Sequence, residues 1–247
     1  MNPEPGTDQF RKKKGIIMSR THLMLLHGAL GAGSQLYPLI PHLKAKYEVH
    51  TLDFEGHGSS PLRDRPFRAL HCAENVMDYM DGQGIKAIDI FGHSLGGQVG
   101  VCMARYFPGR VKRVFTLGTK FRWTPEIAEK EIAFLDPTKM REAVPQFVKT
   151  LQERHVASGW EKVLEKIREM MIDLGENNPL EDNDIRQITK RVRIGVGDRD
   201  DMVGIEESVG IYRSLQEGEL QIFPGTPHPL EKVPLAKLSQ ALIDFFD

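Results

Sequence analysis

The run Phe91-Gly92-His93-Ser94-Leu95-Gly96-Gly97 constrains this chain more than any other. It sits where the apolar stretch Ala87-Ile88-Asp89-Ile90-Phe91 gives way to the helix-like Gln98-Val99-Gly100-Val101-Cys102-Met103-Ala104-Arg105. A serine on so sharp a strand-to-helix turn needs small residues two before and two after it, because the backbone there is strained and closely packed. Gly92 and Gly96 supply that room, so Ser94 is expected to project from a sheet edge with a helix N-terminus beneath it. In isolation this would be a glycine-rich turn with an incidental serine. The flanking strand and helix favour the nucleophile turn Gly-x-Ser-x-Gly.

A serine hydroxyl is a poor nucleophile until a base takes its proton, so the motif requires a histidine. Of the nine histidines, His228 lies in the right kind of place. The alternating Glu219-Leu220-Gln221-Ile222-Phe223 reads as a late strand, and it runs into Pro224-Gly225-Thr226-Pro227-His228-Pro229. The prolines on either side of His228 keep that loop from joining a helix. A carboxylate to orient the imidazole should fall between serine and histidine in the chain. The strand candidate Arg191 to Gly197 is followed at once by Asp198, Asp200 and Asp201. Asp200 is far enough around the turn to face a neighbouring loop. Asp198 is expected to close the turn through nearby backbone, and Asp201 to cap the next helix. The other possible acid position, after the strand Arg113 to Gly118, offers no carboxylate before Glu126.

Donors for a developing oxyanion are expected at the backbone amides of Ala29 and Leu95. Ala29 follows the buried-type strand Leu23-Met24-Leu25-Leu26 in the loop His27-Gly28-Ala29-Leu30-Gly31-Ala32-Gly33, and Leu95 follows Ser94 directly. Each such donor is worth about 3 to 4 kcal/mol in a transition state.

With these pieces in order the chain resembles the α/β-hydrolase superfamily over nearly its whole length. The matching segments are His27-Gly28, Asp53-Phe54-Glu55-Gly56-His57-Gly58-Ser59-Ser60, the turn at Ser94, Gly197-Asp198-Arg199-Asp200 and His228, each after an expected strand. The resemblance implies an acyl-transfer hydrolase working through an acyl-serine, similar to the small, lid-bearing, carboxylesterase-like members. It needs no cofactor. One departure concerns the start: family members open with an antiparallel hairpin. Here Gly15-Ile16-Ile17-Met18 offers one short strand at most, so the hairpin is expected to be reduced. Residues 1–20, with the basic run Arg11-Lys12-Lys13-Lys14, read as a solvated tail.

Strands and helices alternate through 21–119 and again through 191–247, which predicts an α/β fold: a mostly parallel twisted sheet with helices on both faces. Between Lys120 and Lys190 the pattern is helical only, too long for a loop, and is expected to form a helical lid. Thr124-Pro125-Glu126 and Asp136-Pro137-Thr138 pair a cap with proline at the first helical position, and Ser158-Gly159-Trp160-Glu161 fits a capping box. The lid would cover the C-terminal edge of the sheet, where open α/β folds bind ligands. Phe121 and Trp123, leaving the strand beside the site, are the expected substrate contacts. Phe134, Met140, Phe147 and Trp160 could line the same pocket or pack lid helices together.

A net charge of −1, from 33 basic and 34 acidic side chains, gives no basis for a nucleic-acid or membrane-surface partner. No apolar run is long enough to span a bilayer. Two widely separated cysteines, Cys72 and Cys102, read as core thiols in a reducing, cytoplasmic compartment, and no metal-ligand spacing stands out. The expected partner is a small, hydrophobic acyl ester, with assembly state open. Thioester or carbon–carbon hydrolysis and haloperoxidase-like chemistry use the same triad. A silent binding module on the same fold is a further reading. So is a dinucleotide domain built on Gly28, Gly31, Gly33 and Asp53, although Leu30 stands where its fingerprint needs a second glycine.

Overall fold

The computed structural model describes residues 20–247. The possible strand at 15–18 and the basic tail lie outside the described residues. Six parallel strands form one sheet: β1 (Thr21–Leu26), β2 (Tyr47–Thr51), β3 (Ile88–His93), β4 (Val111–Leu117), β5 (Arg191–Gly197) and β6 (Gly218–Phe223), in the order β2-β1-β3-β4-β5-β6. After β1 the chain makes a 3-10 turn and the short α1 (Ile40–Leu43), its proline pair Pro38 and Pro41 preventing one continuous helix. Helices α2 (Ala69–Gly82) and α3 (Leu95–Tyr106) follow β2 and β3. Between β4 and β5 come α4 (Pro125–Ile132), α5 (Pro137–Ala143), α6 (Pro145–Arg154), α7 (Trp160–Glu176) and α8 (Asp182–Arg186). Helix α9 (Ile205–Ser214) joins β5 to β6, and α10 (Leu235–Phe246) ends the chain.

The period of two along each strand divides the core between the two faces of the sheet. Met24, Leu26, Ile88, Ile90, Val114 and Ile194 pack with apolar residues of α2, α3 and α7. Leu23, Leu25, Phe91, Phe115 and Phe223 pack with α1 and α10 on the other face. Both faces are thus covered, as an all-parallel sheet requires. Buried Asp89 takes two hydrogen bonds from Arg113, at 3.0 and 2.9 Å, and Arg113 also donates to the carbonyls of Phe245 and Phe246. That network ties the end of α10 to the sheet.

The strand order matters for the site. The chain leaves β1 for β2 on one side, then returns across it to β3 on the other. The loops after β1 and β3 therefore diverge at the C-terminal edge, the crevice where such sheets bind ligands.

Two of the expected helix starts are present: Thr124 Oγ1 accepts from the Ile127 amide and Asp136 Oδ1 from the Lys139 amide. The third differs. Gly159, with φ of 80°, is the N-cap of α7 and no side chain caps it, while Ser158 Oγ is buried without a partner. The left-handed turn that glycine permits carries the chain into α7 and takes the serine away from the helix end. Cys72 and Cys102 are buried free thiols in α2 and α3. Among the described residues no helix is long and apolar enough to cross a membrane.

Candidate active site

Ser94 is the residue between β3 and α3, with φ of 52° and ψ of −118°. A side chain so placed is strained by about 1 to 3 kcal/mol and persists only where its surroundings hold it. Here they do. The Ser94 amide donates to the Leu117 carbonyl at 2.8 Å, and the Ser94 carbonyl accepts from Thr119 Oγ1 at 3.0 Å. A Cβ at Gly92 would lie 2.2 Å from the Gly96 backbone, and one at Gly96 would lie 2.5 Å from the Leu26 carbonyl oxygen. Both glycines are required by close approach, as the motif implied.

His228 follows β6 and Asp200 follows β5. Their strands are neighbours, which brings the two loops together. Nδ1 of His228 lies 2.9 Å from Asp200 Oδ2 and 3.1 Å from Oδ1. Burial alone would raise the Asp200 pKa. The His228 hydrogen bond and charge, with the amides of Val203 and Met202, outweigh it and hold the carboxyl below its ordinary value. The His228 loop is fixed by its own backbone carbonyl, which accepts from His93 Nε2 at 2.9 Å. Ser94 and His228 line the same cavity, with no direct hydrogen bond between them in this structure. Contacts of this kind are commonly loose before substrate arrives.

Asp198 is occupied elsewhere. Its Oδ1 accepts from the amides of Gly225 and Thr226, so it joins the end of β5 to the loop that carries His228 and does not close its own turn. Asp201 does not cap α9; Gly204 stands at that position, without a side-chain cap.

The loop after β1 approaches Ser94 closely: a Cβ on Gly28 would meet Ser94 Cβ at 3.1 Å. His27 shapes it, with Nδ1 donating to the Gly28 carbonyl at 2.8 Å and Nε2 accepting from the Phe54 amide at 3.1 Å. Leu30 has φ of 57°, and its carbonyl is held from the helical insertion by Arg154 Nη1 at 2.8 Å and His155 Nε2 at 3.0 Å. His155 Nδ1 in turn accepts from the Gly58 amide at 3.0 Å. One buried imidazole thus joins three loops. The amides of Ala29 and Leu95 have no protein acceptor among the described residues, and both residues line the cavity with Ser94.

Asp53 also has a structural task. Its carboxylate accepts from the Gly33 amide at 2.7 Å and from the amide and hydroxyl of Ser59 at 2.9 and 3.0 Å. It braces the loop after β1.

The cavity is small, about 40 Å³. Trp123 lines it. Phe121 does not: it is buried in the core, its amide bound to Glu207 and its carbonyl to Asn178. Phe134 and Phe147 are exposed, and Trp160 and Met140 pack inside the insertion. The rest of the apolar wall comes from Met170 and Met171 of α7 and from Met202 and Val203 after β5, and the polar wall from Gln98 and the ion pair of Lys120 with Glu131 at 3.2 Å. Gln98 was accessible to sequence reasoning, since it lies one helical turn beyond Ser94 on the same face. The methionines were not, because their spacing is that of any buried helix face.

Four buried histidines surround these loops. Burial lowers the pKa of His27 to about 4 and of His93 to about 4, and it lowers those of His57 and His155 as well. In the unfolded chain a histidine takes its proton near pH 6.5. Between pH 6.5 and 4 the unfolded state therefore binds more protons than the folded one, and stability falls as the solution is acidified. The expected result is a melting temperature that drops steadily below pH 6.5, before carboxylates titrate. A melting temperature constant from pH 7 to 4.5 in calorimetry would contradict the burial of these rings.

A family profile described as the α/β hydrolase fold matches residues 21–201. The chain belongs to the α/β hydrolase fold family. Among its relatives is the pimeloyl-[acyl-carrier protein] methyl ester esterase of Neisseria meningitidis serogroup B (strain H44/76), 30% identical over 117 residues that cover 47% of this chain and 43% of the esterase. The match thus spans less than half the length of that relative. Similar solved structures include the enol-lactonase of Burkholderia xenovorans LB400, at 17% identity, TM-score 0.75 and 92% of each chain covered. A thermophilic esterase of Thermogutta terrifontis is similar at 17% identity and TM-score 0.74, with 92% of this chain and 90% of that one covered. At such identities these structures speak to the fold.

Proposed function

We propose that this α/β hydrolase is a serine esterase that cleaves a small acyl ester through an acyl-serine intermediate. The observation that carries the reading is the convergence of Ser94, His228 and Asp200 at one edge of the sheet, with His228 Nδ1 held on the Asp200 carboxylate. That bond keeps the proton on Nδ1 and leaves the Nε2 lone pair for the hydroxyl.

In the first step Ser94 Oγ bonds to the ester carbonyl carbon and its proton passes to His228 Nε2. Negative charge collects on the carbonyl oxygen, where the Ala29 and Leu95 amides can donate to it, aided by the N-terminus of α3. The intermediate collapses by breaking the carbon–oxygen bond to the alcohol, which leaves with the proton from His228. Water then repeats the sequence on the acyl-serine and releases the acid. Nothing in this chemistry calls for a cofactor.

The helical insertion between β4 and β5 acts as the lid, and its Met170, Met171 and Trp123 meet the acyl group. The cavity of about 40 Å³ holds a few waters, so short acyl chains fit first and longer ones need the lid to move. The methyl ester esterase relative supports ester chemistry. Buried, unpaired Cys72 and Cys102 support a cytoplasmic location. A fluorophosphonate probe should label the wild-type chain once, at Ser94, and leave Ser94→Ala unlabelled, with mass spectrometry as the readout. An inert wild-type chain under the same conditions would favour a silent binding module.

A further inference from the structure

On the far side of β1 from β3, three ligand-type side chains meet across the first two strands. Glu48 stands opposite His22 in the β1–β2 register, and His50 lies two residues further along β2 on the same face. His22 Nδ1 is 3.0 Å from His50 Nε2 and 3.5 Å from Glu48 Oε2, and all three atoms lie within 4.8 Å of one another. We propose that His22, Glu48 and His50 form a zinc-binding site that clamps β2 to β1.

The distances suit the ion. Zinc bound to histidine nitrogen and carboxylate oxygen at ~2.0–2.2 Å places the corners of its tetrahedron roughly 3.3–3.5 Å apart. The His22–His50 separation is shorter than that edge and the His22–Glu48 separation matches its upper end, so side-chain rotations bring the three donors onto the tetrahedron. Two imidazoles and a carboxylate are the donors of a three-ligand zinc site with water in the fourth position, whereas magnesium and calcium prefer oxygen alone.

The second nitrogen of His50 is also placed. Nδ1 lies 3.0 Å from the Tyr79 hydroxyl on α2, the kind of outer partner that fixes the ring of a metal-bound histidine. With Nδ1–H donating to that hydroxyl, Nε2 turns its lone pair to the metal. In the metal-free chain His22 Nδ1–H donates to His50 Nε2; when zinc takes both nitrogens the His22 proton moves to its own Nε2, so each ring stays neutral.

The site has a structural use. Among the described residues β2 is an edge strand, paired on one side only. Ligands from both strands would fix the β1–β2 register at the start of β1, while the catalytic loops leave the opposite end of the sheet. Turnover is therefore expected to be independent of zinc at this site.

The test uses the full chain, stripped with a chelator and titrated with zinc chloride alone. One equivalent should bind, with a rise of several degrees in melting temperature, and cobalt chloride should give the visible spectrum of a tetrahedral site. His22→Gln and Glu48→Gln, both at partly exposed positions, should each weaken zinc at least about tenfold while leaving the metal-free melting temperature unchanged. Zinc bound equally well by His22→Gln would place the ion elsewhere and overturn the proposal. So would the failure of wild-type chain to bind one equivalent.

Discussion

Turnover of a short-chain ester by Ser94→Ala should fall about 10⁴- to 10⁶-fold, and His228→Ala should fall as far. The magnitude follows from what each residue supplies. Without Oγ no acyl-enzyme forms, and water must attack a carbonyl that the site positions but does not trap. Without the imidazole, Oγ keeps its proton and the leaving alcohol receives none. Because the two act on one proton, their effects should not add: the double variant should be no slower than the slower single one. What remains is the rate that the Ala29 and Leu95 amides and substrate binding provide on their own. Stability should hardly change in Ser94→Ala, since alanine inherits the same strained φ and the bonds that hold position 94 are made by backbone atoms. Steady-state kinetics paired with thermal melts separate loss of chemistry from loss of fold. Wild-type kcat in Ser94→Ala would end the acyl-serine reading.

The framework of this site could be read from the chain because its parts are local. Gly92 and Gly96 flank Ser94 within one turn, and the backbone contacts a Cβ would make there explain why glycine is needed. The caps at Thr124 and Asp136 likewise depend on three consecutive residues. What escaped depends on contacts across the fold. Asp198 looks like a turn residue in sequence, yet its acceptors serve amides 27 and 28 residues away. Leu30 stands among three glycines, and nothing local says that the positive φ falls on the leucine. The donors Arg154 and His155, from the helical insertion, hold the carbonyl that makes it so. The pocket wall is the clearest case. Among the aromatic candidates Phe134 is 71% exposed and Trp123 alone lines the cavity, beside Met170 and Met171, whose pattern says only that one face of α7 is buried.

Asp200→Asn should lower turnover about 10⁴-fold, while Asp198→Asn should cost little. The reason lies in which oxygen each neighbour uses. Asp200 Oδ1 accepts from the amides of Met202 and Val203, both at 2.9 Å, so an asparagine there keeps its oxygen on that side. Its NH₂ then replaces Oδ2, the atom 2.9 Å from His228 Nδ1. A donor at the shorter contact outweighs the acceptor that Oδ1 keeps 3.1 Å from Nδ1 and favours the opposite tautomer, with the proton on Nε2, where the base should be free. The imidazole stays in place and cannot accept the Ser94 proton. At position 198 the same exchange is harmless, because the two amides need only one oxygen and asparagine retains it. The pair of variants therefore tests the assignment of the acid and its physical reason together. An active Asp200→Asn beside an inactive Asp198→Asn would move the orienting carboxylate two residues upstream. If Asp200→Ala proved more active than Asp200→Asn, the wrong tautomer would be confirmed as the larger harm, since alanine offers Nδ1 no donor and leaves the ring free to protonate either nitrogen.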